Sequence, residues 1–376
     1  MGLSAARVLA ERGHSVIALD RQPVASAEGS SSGTSRIFRL SHTDREFVAL
    51  AQNALDGWRR LEQRTNTTLL LRHGLLERGA ASFAVGEALA ASDVEHRLMD
   101  EHEVASLFPE LTPRRGEPAL FQPDAGTLLA RESLHAQEML ARDADVEFVI
   151  GETATAVSAL PAGVRVTTNE RRIESDVAVV CAGPWTSDLL HPNDLIPPLL
   201  SETIQVTYFE CAPETQHRPC LIDWPSPAGE PPTYGLALPG VGYKLGFVRA
   251  RPWAPGEQPG VDPEEERALT ARAQASYPSL GKPVRTESCP ITSTADGLFV
   301  FDRVGPIVVG CGCNGQAFKF SPVIGEALAD LAEDRPTDPR WTRFNAARAG
   351  AQMQPTSFAQ VLASPPTKDG ADRLAE

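Results

Sequence analysis

The first twenty residues constrain the fold most, because they have the pattern of half a nucleotide-binding β-α-β unit. Residues 2–12 are mostly strong helix formers without proline, and Gly13 suits the left-handed turn that ends many helices. The apolar run 15–19 predicts a strand buried on both faces. Asp20 ends that run, eighteen positions after Gly2. An acidic side chain there is placed to bind a ribose, and the helix N-terminus is placed to bind a pyrophosphate.

The nucleotide motif is incomplete at its start. A G-x-G-x-x-G fingerprint follows a first strand, and in this chain Gly2 matches only its third glycine. We therefore expect Met1 to be an internal methionine, through a misassigned start or a true truncation, with the first strand and two glycines lacking. Taken alone, the half-motif fits an ordinary helix and strand of some α/β domain equally well.

Composition argues against several classes of protein. A formal net charge of −14 over 376 residues disfavours nucleic acid and anionic membranes as partners. No apolar run approaches the ~20 residues that span a bilayer, and no signal peptide is visible. We expect a cytoplasmic protein that is a monomer rather than an oligomer.

The cysteines predict neither a metal site nor a disulfide framework. None of them forms a C-x-x-C pair, and the histidines show no zinc-binding spacing near them. In a chain of this size without a secretion signal, free thiols in a reducing compartment are expected. The six cysteines are Cys181, Cys211, Cys220, Cys289, Cys311 and Cys313.

A Gly/Ser-rich stretch, residues 23–35, follows Asp20 and leads into two arginines. It is either a flexible surface loop or a loop whose backbone closes over a phosphate or a ring. Arg36 and Arg39 stand three positions apart at its end. Guanidinium groups in that arrangement suit the binding of an anion or a carboxylate.

The remaining periodicity predicts a mixed α/β (α+β) fold. Apolar residues at helical spacing predict helices, and alternating or short apolar runs predict strands. Predicted helices are 45–62, 86–91, 100–108, 127–142, 263–277 and 323–331. Predicted strands are 146–150, 176–181, 203–210, 299–302 and 307–310, with hairpins 164–167/172–173 and 233–238/243–248 and a strand pair or bulged strand at 69–71/74–76.

These elements predict two interleaved domains. A Rossmann-like nucleotide-binding domain comprises residues 1–78, 126–198 and 285–345, and a β-rich substrate domain comprises residues 79–125 and 199–284. The strand 176–181 runs into Gly183 and Trp185, at the end of the strand where open α/β sheets bind ligands. Residues 350–376 predict a poorly ordered tail.

Several of these segments, in this order, resemble one family. From residue 1 to about 331 the chain resembles the monomeric sarcosine oxidase and N-methyltryptophan oxidase family of D-amino-acid-oxidase-like flavoenzymes. The resemblance implies that the Rossmann-like domain binds FAD. It further implies hydride transfer from a secondary amine, commonly an N-methyl amino acid, to the flavin. Oxygen then re-oxidises the flavin to give hydrogen peroxide, and the imine product hydrolyses.

The resemblance assigns residues to the cofactor. Gly2 matches the last glycine of the dinucleotide motif and Asp20 the ribose-binding acid. Arg36 matches an arginine that lies against the flavin, and with Lys244 it is expected to take part in catalysis. Ser32 stands where some family members have a histidine. Further residues expected at the cofactor are Arg21, Ser32, Ser35, Gly183, Trp185, Gly315 and Gln316.

The resemblance also assigns residues to catalysis and to the substrate. Lys244 lies in residues 242–246, which resemble the family's G-x-K-x-G strand, whose lysine approaches flavin N5 through a water and promotes the reaction with oxygen. A fixed ammonium would stabilise the charge that develops on superoxide; by itself, one lysine in a strand is more simply a solvated edge residue. Tyr234 matches a substrate-site tyrosine, and Arg39 and Lys319 match cations that bind the substrate carboxylate.

Cys289 lies in a segment, residues 285–292, resembling the one whose cysteine links covalently to the flavin 8α position. Such attachment needs a thiolate, so Cys289 should lie in an electropositive pocket. A lone cysteine is otherwise more often a small buried hydrophobe. The turn 310–319 resembles the family's G-x-G-x-x-G-F-K-x-S motif but carries Cys311 and Cys313 and has Gln316-Ala317 in place of His-Gly, which leaves the substrate open.

Two other functions stay open on these residues. One is a dehydrogenase or a biosynthetic amine or imine oxidase of the same fold. The other is a truncated, non-catalytic pseudoenzyme that binds a metabolite or a partner. If the protein is an amine oxidase, no Asp or Glu of these motifs stands out as a general base.

Overall fold

The computed structural model describes residues 1–190, 196–224, 231–336 and 338–348. Within these ranges eight α-helices and twenty strands in five sheets alternate along the chain. The helices are α1 (Gly2–Glu11), α2 (Arg45–Thr65), α3 (Ala81–Ala90), α4 (Glu101–Leu107), α5 (Ala130–Asp143), α6 (Thr186–Leu190), α7 (Pro263–Ser276) and α8 (Ser321–Ala332). The predicted disordered tail, residues 350–376, lies outside the described residues.

The first helix packs between α5 and α8 beside two small sheets. A Cβ on Gly325 would lie 2.3 Å from Ser4 Oγ, so this glycine permits α8 to pack directly on α1. One sheet pairs β1 (Ile17–Asp20) with β8 (Glu147–Ile150) in parallel. The other places β20 (Ile307–Cys311) between β12 (Ala178–Val180), which is parallel to it, and β19 (Val300–Val304), which is antiparallel.

The first predicted strand is more exposed than expected. Ile17 is 45% exposed and Asp20 is exposed too, so the prediction of burial on both faces is wrong. The reason is that β1 pairs with β8 on one side and has no second strand neighbour within the described ranges. Gly13 has φ +92° and ends the turn after α1 as predicted.

Two further sheets have three strands each. The hairpin predicted at 164–173 is confirmed as β10 (Gly163–Thr168) and β11 (Arg172–Ser175), to which β9 (Ala154–Leu160) adds a strand. The other sheet has the order β2, β7, β3. Its strands are β2 (Ser35–Phe38), β7 (Gly126–Leu129) and β3 (Leu70–Leu71).

The largest sheet in the described part of the chain has nine strands. Its main path is β17 (Arg251–Pro252), β13 (Leu200–Phe209), β16 (Gly242–Phe247), β15 (Thr233–Leu238), β14 (Cys220–Asp223), β4 (Leu75–Arg78), β6 (Ala119–Gln122) and β5 (Arg97–Met99), and β18 (Pro283–Ser293) pairs with the other side of β13. The predicted hairpin 233–248 is confirmed as β15 and β16, paired from Thr233–Phe247 to Leu238–Gly242.

The two faces of this sheet contact different elements. Successive side chains of a strand alternate between the faces, so every second residue shares one of them. Leu76, Leu221 and Leu245 pack on one side with Leu269 of α7. The opposite face packs on the sheet of β2 and β7, and Ile37 of β2 contacts its apolar residues. We call this second face the inner face. It carries Glu77, Ile222, Tyr234, Lys244 and Tyr208.

Two local predictions are wrong, both because strands pair with distant parts of the chain. Residues 127–129 belong to β7 and not to the predicted helix 127–142, because they pair with β2 and β3; α5 begins only at Ala130. Residues 69–71 and 74–76 do not pair with each other. Gly74, with φ +81°, turns the chain so that β3 joins β7 and β4 joins the nine-stranded sheet.

The predicted division into two domains stays a prediction. Strands β4 and β18 lie within or overlap the segments predicted for the nucleotide-binding domain, yet both pair into the nine-stranded sheet with residues predicted for the substrate domain. The inner face of that sheet and the elements around β2 therefore enclose the region where the two predicted domains meet.

Candidate active site

Lys244 extends from the inner face to the end of the Gly/Ser loop. Its Nζ donates a hydrogen bond to the Ser35 carbonyl oxygen at 2.9 Å and lies 3.4 Å from the Ser35 hydroxyl oxygen. The residue is only 5% exposed. Burial, followed by the charge of Arg36, lowers the pKa of Lys244 to about 7. Its bonded acceptors are neutral, so this buried ammonium has no directly bonded anion.

Arg36 holds the Gly/Ser loop closed. Its Nη1 donates to the Ser35 carbonyl at 2.8 Å, and its Nη2 donates to the carbonyls of Ser30 at 3.0 Å and Ser32 at 2.5 Å. Gly33 has φ +85°, a conformation that favours glycine, and permits the turn. The loop is therefore tied to Arg36 in the structure, and its closure over a phosphate or a ring stays a prediction.

Tyr234 lies on β15, and its ring covers Gly246 of β16. A Cβ on Gly246 would lie 2.7 Å from the Tyr234 oxygen, which explains the second glycine of the 242–246 pattern. Burial raises the pKa of Tyr234 above its ordinary value, so the phenol is neutral at physiological pH. Tyr234 can therefore donate a hydrogen bond toward a ligand on the inner face.

Cys289 lies on β18, opposite Ile204 of β13. It is half-buried and close enough to both Lys244 and Tyr234 to interact with them electrostatically. The cysteine that sequence reasoning expected in an electropositive pocket thus has a buried lysine beside it. All six cysteines are free thiols.

Lys319 and Arg39 form a second pair of neighbouring cations. Lys319 is 5% exposed, and burial followed by the charge of Arg39 lowers the pKa of Lys319 well below its ordinary value. The Lys319 backbone is held by Trp58, whose Nε1 donates to the Lys319 carbonyl at 2.8 Å. Arg39 Nη1 lies 3.3 Å from Ser41 Oγ, and burial lowers the pKa of this guanidinium too. Two cations held together without a bonded carboxylate are suited to bind one from a ligand.

His42 adjoins this pair and was missed by sequence reasoning. Its ring centroid lies 5.6 Å from that of Phe47 and 5.8 Å from that of Phe320. Burial, then the charges of Arg39 and Lys319, lower the pKa of His42 well below its ordinary value, so the imidazole is neutral. Its position three residues after Arg39 was the signal available in the sequence.

Glu77 is the second residue that sequence reasoning missed. It lies on β4, is 1% exposed, and its Oε1 accepts a hydrogen bond from Trp224 Nε1 at 2.9 Å. Burial raises the pKa of Glu77, while the nearby Arg39, Trp224 and Ser41 lower it by smaller amounts. The signal in the sequence was an acidic residue inside the apolar strand Leu75–Arg78.

The residues predicted for the nucleotide end lie at the ends of β1 and β12. Asp20 ends β1, and Arg21 follows it with its guanidinium 3.8 Å from the ring centroid of Trp185. Gly183 has φ +55°, and a Cβ there would lie 3.9 Å from Ser30 Oγ, which places the Gly/Ser loop beside this turn. The structure thus brings these residues together with the loop held by Arg36.

The turn before α8 depends on left-handed backbone conformations. Gly312, Asn314 and Gly315 have φ values of +65°, +48° and +63°. Lys319 Nζ donates to the Gln316 carbonyl at 3.3 Å, which ties the turn to the cation pair. No group of three or more His, Cys, Asp or Glu side chains in the described part of the chain is arranged to hold a metal ion. Nor does any described helix have the length and apolar composition needed to cross a bilayer.

The N-terminus of α1 and the cations Lys244 and Arg36 offer groups that fit FAD. Helix α1 has no side-chain cap at Met1 and no acidic residue in its first turn, which leaves its N–H groups for a pyrophosphate. A Cβ on Gly2 would lie 3.1 Å from Cys181 Cβ, so glycine permits the close packing of helix and strand that such a motif needs. Lys244 and Arg36, which both bond to the Ser35 carbonyl oxygen, are positive groups that would offset the negative charge of a reduced flavin bound beside them.

The chain matches known proteins over most of its length. A family model described as FAD dependent oxidoreductase matches residues 1–331. Monomeric sarcosine oxidase of Bacillus sp. (strain B-0618) is 29% identical over 352 residues, which cover 88% of this chain and 89% of that protein. N-methyl-L-tryptophan oxidase of Shigella dysenteriae serotype 1 (strain Sd197) is 23% identical, with 93% and 96% covered. The solved open form of NikD, described as an unusual amino acid oxidase essential for nikkomycin biosynthesis, is similar with a TM-score of 0.84 at 25% identity, and the match covers 93% of this chain and 95% of that one.

Proposed function

The chain belongs to the family of FAD-dependent oxidoreductases, and from this premise we propose that it oxidises the secondary amine of an N-methyl or cyclic amino acid. Its relatives of the sarcosine oxidase type make it an FAD-dependent amine oxidoreductase. The observation that carries the choice of substrate is the buried pair Arg39 and Lys319. Two adjacent cations without a bonded carboxylate would bind the carboxylate of an amino acid but gain nothing from a simple amine.

The bound carboxylate would position the rest of the substrate. FAD supplies the acceptor for a hydride from the carbon beside nitrogen. Arg39 and Lys319 would fix one end of the molecule, and the Tyr234 hydroxyl would limit its position against the inner face. Fixing both reactants in this way supplies a large part of the rate of such reactions. Burial around the pair excludes water, which strengthens each of these interactions.

Lys244 would serve the reaction with oxygen that yields hydrogen peroxide. Its ammonium is held at one point by the Ser35 carbonyl, in a region screened from water. A positive charge fixed in this way stabilises an oxygen species as it becomes negative, and loss of one such preorganised group typically costs about 10²–10³ in rate. The imine product would leave and hydrolyse in solution.

Cys289 would carry the flavin covalently. The support for this is its half-buried place on β18, close enough to Lys244 and Tyr234 to interact with them electrostatically. The proposal predicts yellow colour that stays with the protein after acid precipitation. Colour released to the supernatant would keep FAD and remove the covalent bond.

The test of the function is anaerobic reduction of the purified yellow protein. Sarcosine, N-methyl-L-tryptophan and L-proline are each mixed with it, and bleaching of the flavin band is followed. Bleaching by at least one of them, followed by recovery of colour and release of hydrogen peroxide on admission of oxygen, is the expected result. Bleaching without fast recovery would favour a dehydrogenase of the same fold. A protein that binds FAD but is bleached by no amino acid would refute the proposed function.

A further inference from the structure

We propose that Glu77 is the catalytic base that takes the proton from the substrate's ammonium group before the hydride leaves; this rests on the function proposed above. An amino acid with a secondary amine is largely protonated on nitrogen near neutral pH. A protonated nitrogen has no lone pair with which to form the C=N bond. A group in the site that accepts this proton would let the abundant ammonium form react.

Glu77 lies on the same face and in the same row as Tyr234. Across three adjacent strands, Glu77 of β4 is the Cα partner of Ile222 of β14, and Ile222 is the partner of Tyr234 of β15. Neighbouring strands lie about 4.8 Å apart, so the Cα atoms of Glu77 and Tyr234 are separated by about 10 Å. The side chain of Ile222 stands between them on this face, so a small amino acid that reaches both Glu77 and Tyr234 would lie across Ile222.

The arrangement of Glu77 close to Arg39 suits the shape of an α-amino acid. Such a substrate carries its carboxylate and its amine on the same carbon. A base for the amine must therefore lie beside the groups that bind the carboxylate. Glu77 lies close enough to Arg39 for the two charges to interact, and the Ser41 hydroxyl, which also contacts Arg39, lies beside it.

One oxygen of Glu77 is available for this proton. Oε1 accepts the hydrogen bond from Trp224, whereas Oε2 is fully buried and makes no hydrogen bond of normal geometry. The Ser41 hydroxyl is close enough to lower the pKa of Glu77 but makes no hydrogen bond of normal geometry with Oε2, and a buried carboxylate oxygen in that state is stabilised when a ligand supplies a donor. An N–H of the bound ammonium would supply it.

The surroundings of Glu77 leave Arg39 as its nearest charge. Trp224, which directly follows β14, and Gln122 of β6 are uncharged, and on α3 Ser82 contacts the Glu77 carbonyl oxygen. The next residue, Arg78, faces the opposite side and pairs with Asp223. Since burial raises the pKa of Glu77, the carboxylate has a greater affinity for a proton than an exposed one.

The step balances with the groups present. The N–H bond of the secondary ammonium breaks, and an O–H bond forms on Glu77 Oε2. The nitrogen keeps its electron pair and becomes a neutral amine. When the hydride leaves the adjacent carbon, that pair forms the C=N bond of the iminium product. Glu77 returns its proton to water after the product departs.

The experiment compares Glu77→Gln with wild type in the FAD-loaded protein. Glutamine keeps the size and the Trp224 contact but has no basic oxygen. The limiting rate of flavin reduction by sarcosine is measured anaerobically from pH 6 to pH 10. We expect a loss of about 100-fold or more near pH 7. The loss should shrink about tenfold with each rise of one pH unit, because the free amine becomes available from solution.

Two controls separate catalysis from structure. Glu110→Gln alters another glutamate paired with an arginine, Arg218, on the side of the sheet away from the inner face, and should leave the pH profile unchanged. Acetate, a carboxylate without an amine, should perturb the flavin spectrum of Glu77→Gln with the dissociation constant of wild type. That result would show an intact carboxylate pocket.

Each outcome decides the proposal. A Glu77→Gln protein with the wild-type pH profile and a changed substrate affinity would overturn it and leave Glu77 as a partner of Arg39. Loss of acetate binding would also overturn it, because the residue would then maintain the pocket. Failure of the wild type to be reduced by any amino acid would instead remove the proposed function, and the base with it.

Discussion

Replacing Lys244 by methionine should make the protein more stable while it slows the reaction with oxygen. The chain contains four lysines, and two of them, Lys244 and Lys319, are buried in the site. Burial opposes the charged form, so the folded protein keeps Lys244 at a cost in stability. Methionine has nearly the same length and no charge to desolvate.

The size of the effect follows from the pKa of Lys244. That pKa falls from its ordinary value of 10.5 to about 7 in the folded protein. At about 1.4 kcal/mol for each pKa unit, the charged lysine destabilises the fold by about 5 kcal/mol. The full penalty applies below pH 7, where the lysine is charged in both states. The penalty declines as pH rises from 7 to 10.5, because the lysine is then neutral in the folded protein and still charged in the unfolded chain. Above pH 10.5 the lysine is neutral in both states and the penalty is absent.

The variant should therefore gain stability only at the lower pH. Loss of the hydrogen bond to the Ser35 carbonyl would offset the gain by about 1 kcal/mol at every pH. We expect Lys244→Met to exceed wild type by about 3–4 kcal/mol near pH 7 and by roughly nothing near pH 10. Urea unfolding of the two proteins in the same cofactor state, followed by far-UV circular dichroism at both pH values, measures the difference.

A matched control is Lys282→Met. Lys282 is 78% exposed and lies 3.9 Å from Glu210, so its removal should change stability by less than about 0.5 kcal/mol at either pH. A gain for Lys244→Met that is equal at pH 7 and pH 10 would refute the electrostatic reasoning. So would a loss of stability at pH 7.

Three further variants test other parts of the site. Arg39→Ala should weaken binding of acetate by about 10–100-fold, measured by titration of the flavin spectrum, because it removes a charge-assisted hydrogen bond worth about 1.5–3 kcal/mol; equal affinity would mean that Arg39 does not bind the carboxylate. Cys289→Ser should release all flavin colour on acid precipitation while the fold, judged by circular dichroism, is unchanged, whereas colour retained in the pellet would place the attachment elsewhere. Trp58→Phe should lower the free energy of unfolding by about 1–3 kcal/mol and weaken acetate binding, since it removes the donor that holds the Lys319 carbonyl; loss of stability alone would limit Trp58 to the core.

Much of the site could be predicted because its residues lie in short segments with their own signals. The G-x-K-x-G pattern around Lys244 predicted a strand by resemblance, and in the structure the ring of Tyr234 covers the second glycine of that pattern, Gly246. The arginine at the end of the Gly/Ser loop predicted anion binding, which stays a prediction, and in the structure Arg36 bonds to carbonyl oxygens of that loop. In both places the signal in the sequence spans only a few positions.

Other parts could not be predicted because they depend on distant pairing. Residues 127–129 have helical sequence neighbours, yet β2 and β3 draw them into a sheet. Glu77 is one charged residue in an apolar strand, and nothing near it in sequence indicates that Arg39 and Trp224 lie beside it. Tertiary pairing overrides local preference in such cases.

The sequence by itself determined the mixed α/β class, the first helix with its glycine end, the β15–β16 hairpin and the cations Arg36, Arg39, Lys244 and Lys319. Periodicity and residue chemistry act over a few positions, and these features need nothing more. The tertiary structure decided which groups meet and how they ionise. It placed Glu77 near Arg39, placed His42 near both Arg39 and Lys319, and lowered the pKa of Lys244 to about 7. Desolvation and charge coupling depend on what surrounds a group in space, and that is fixed only when the chain has folded.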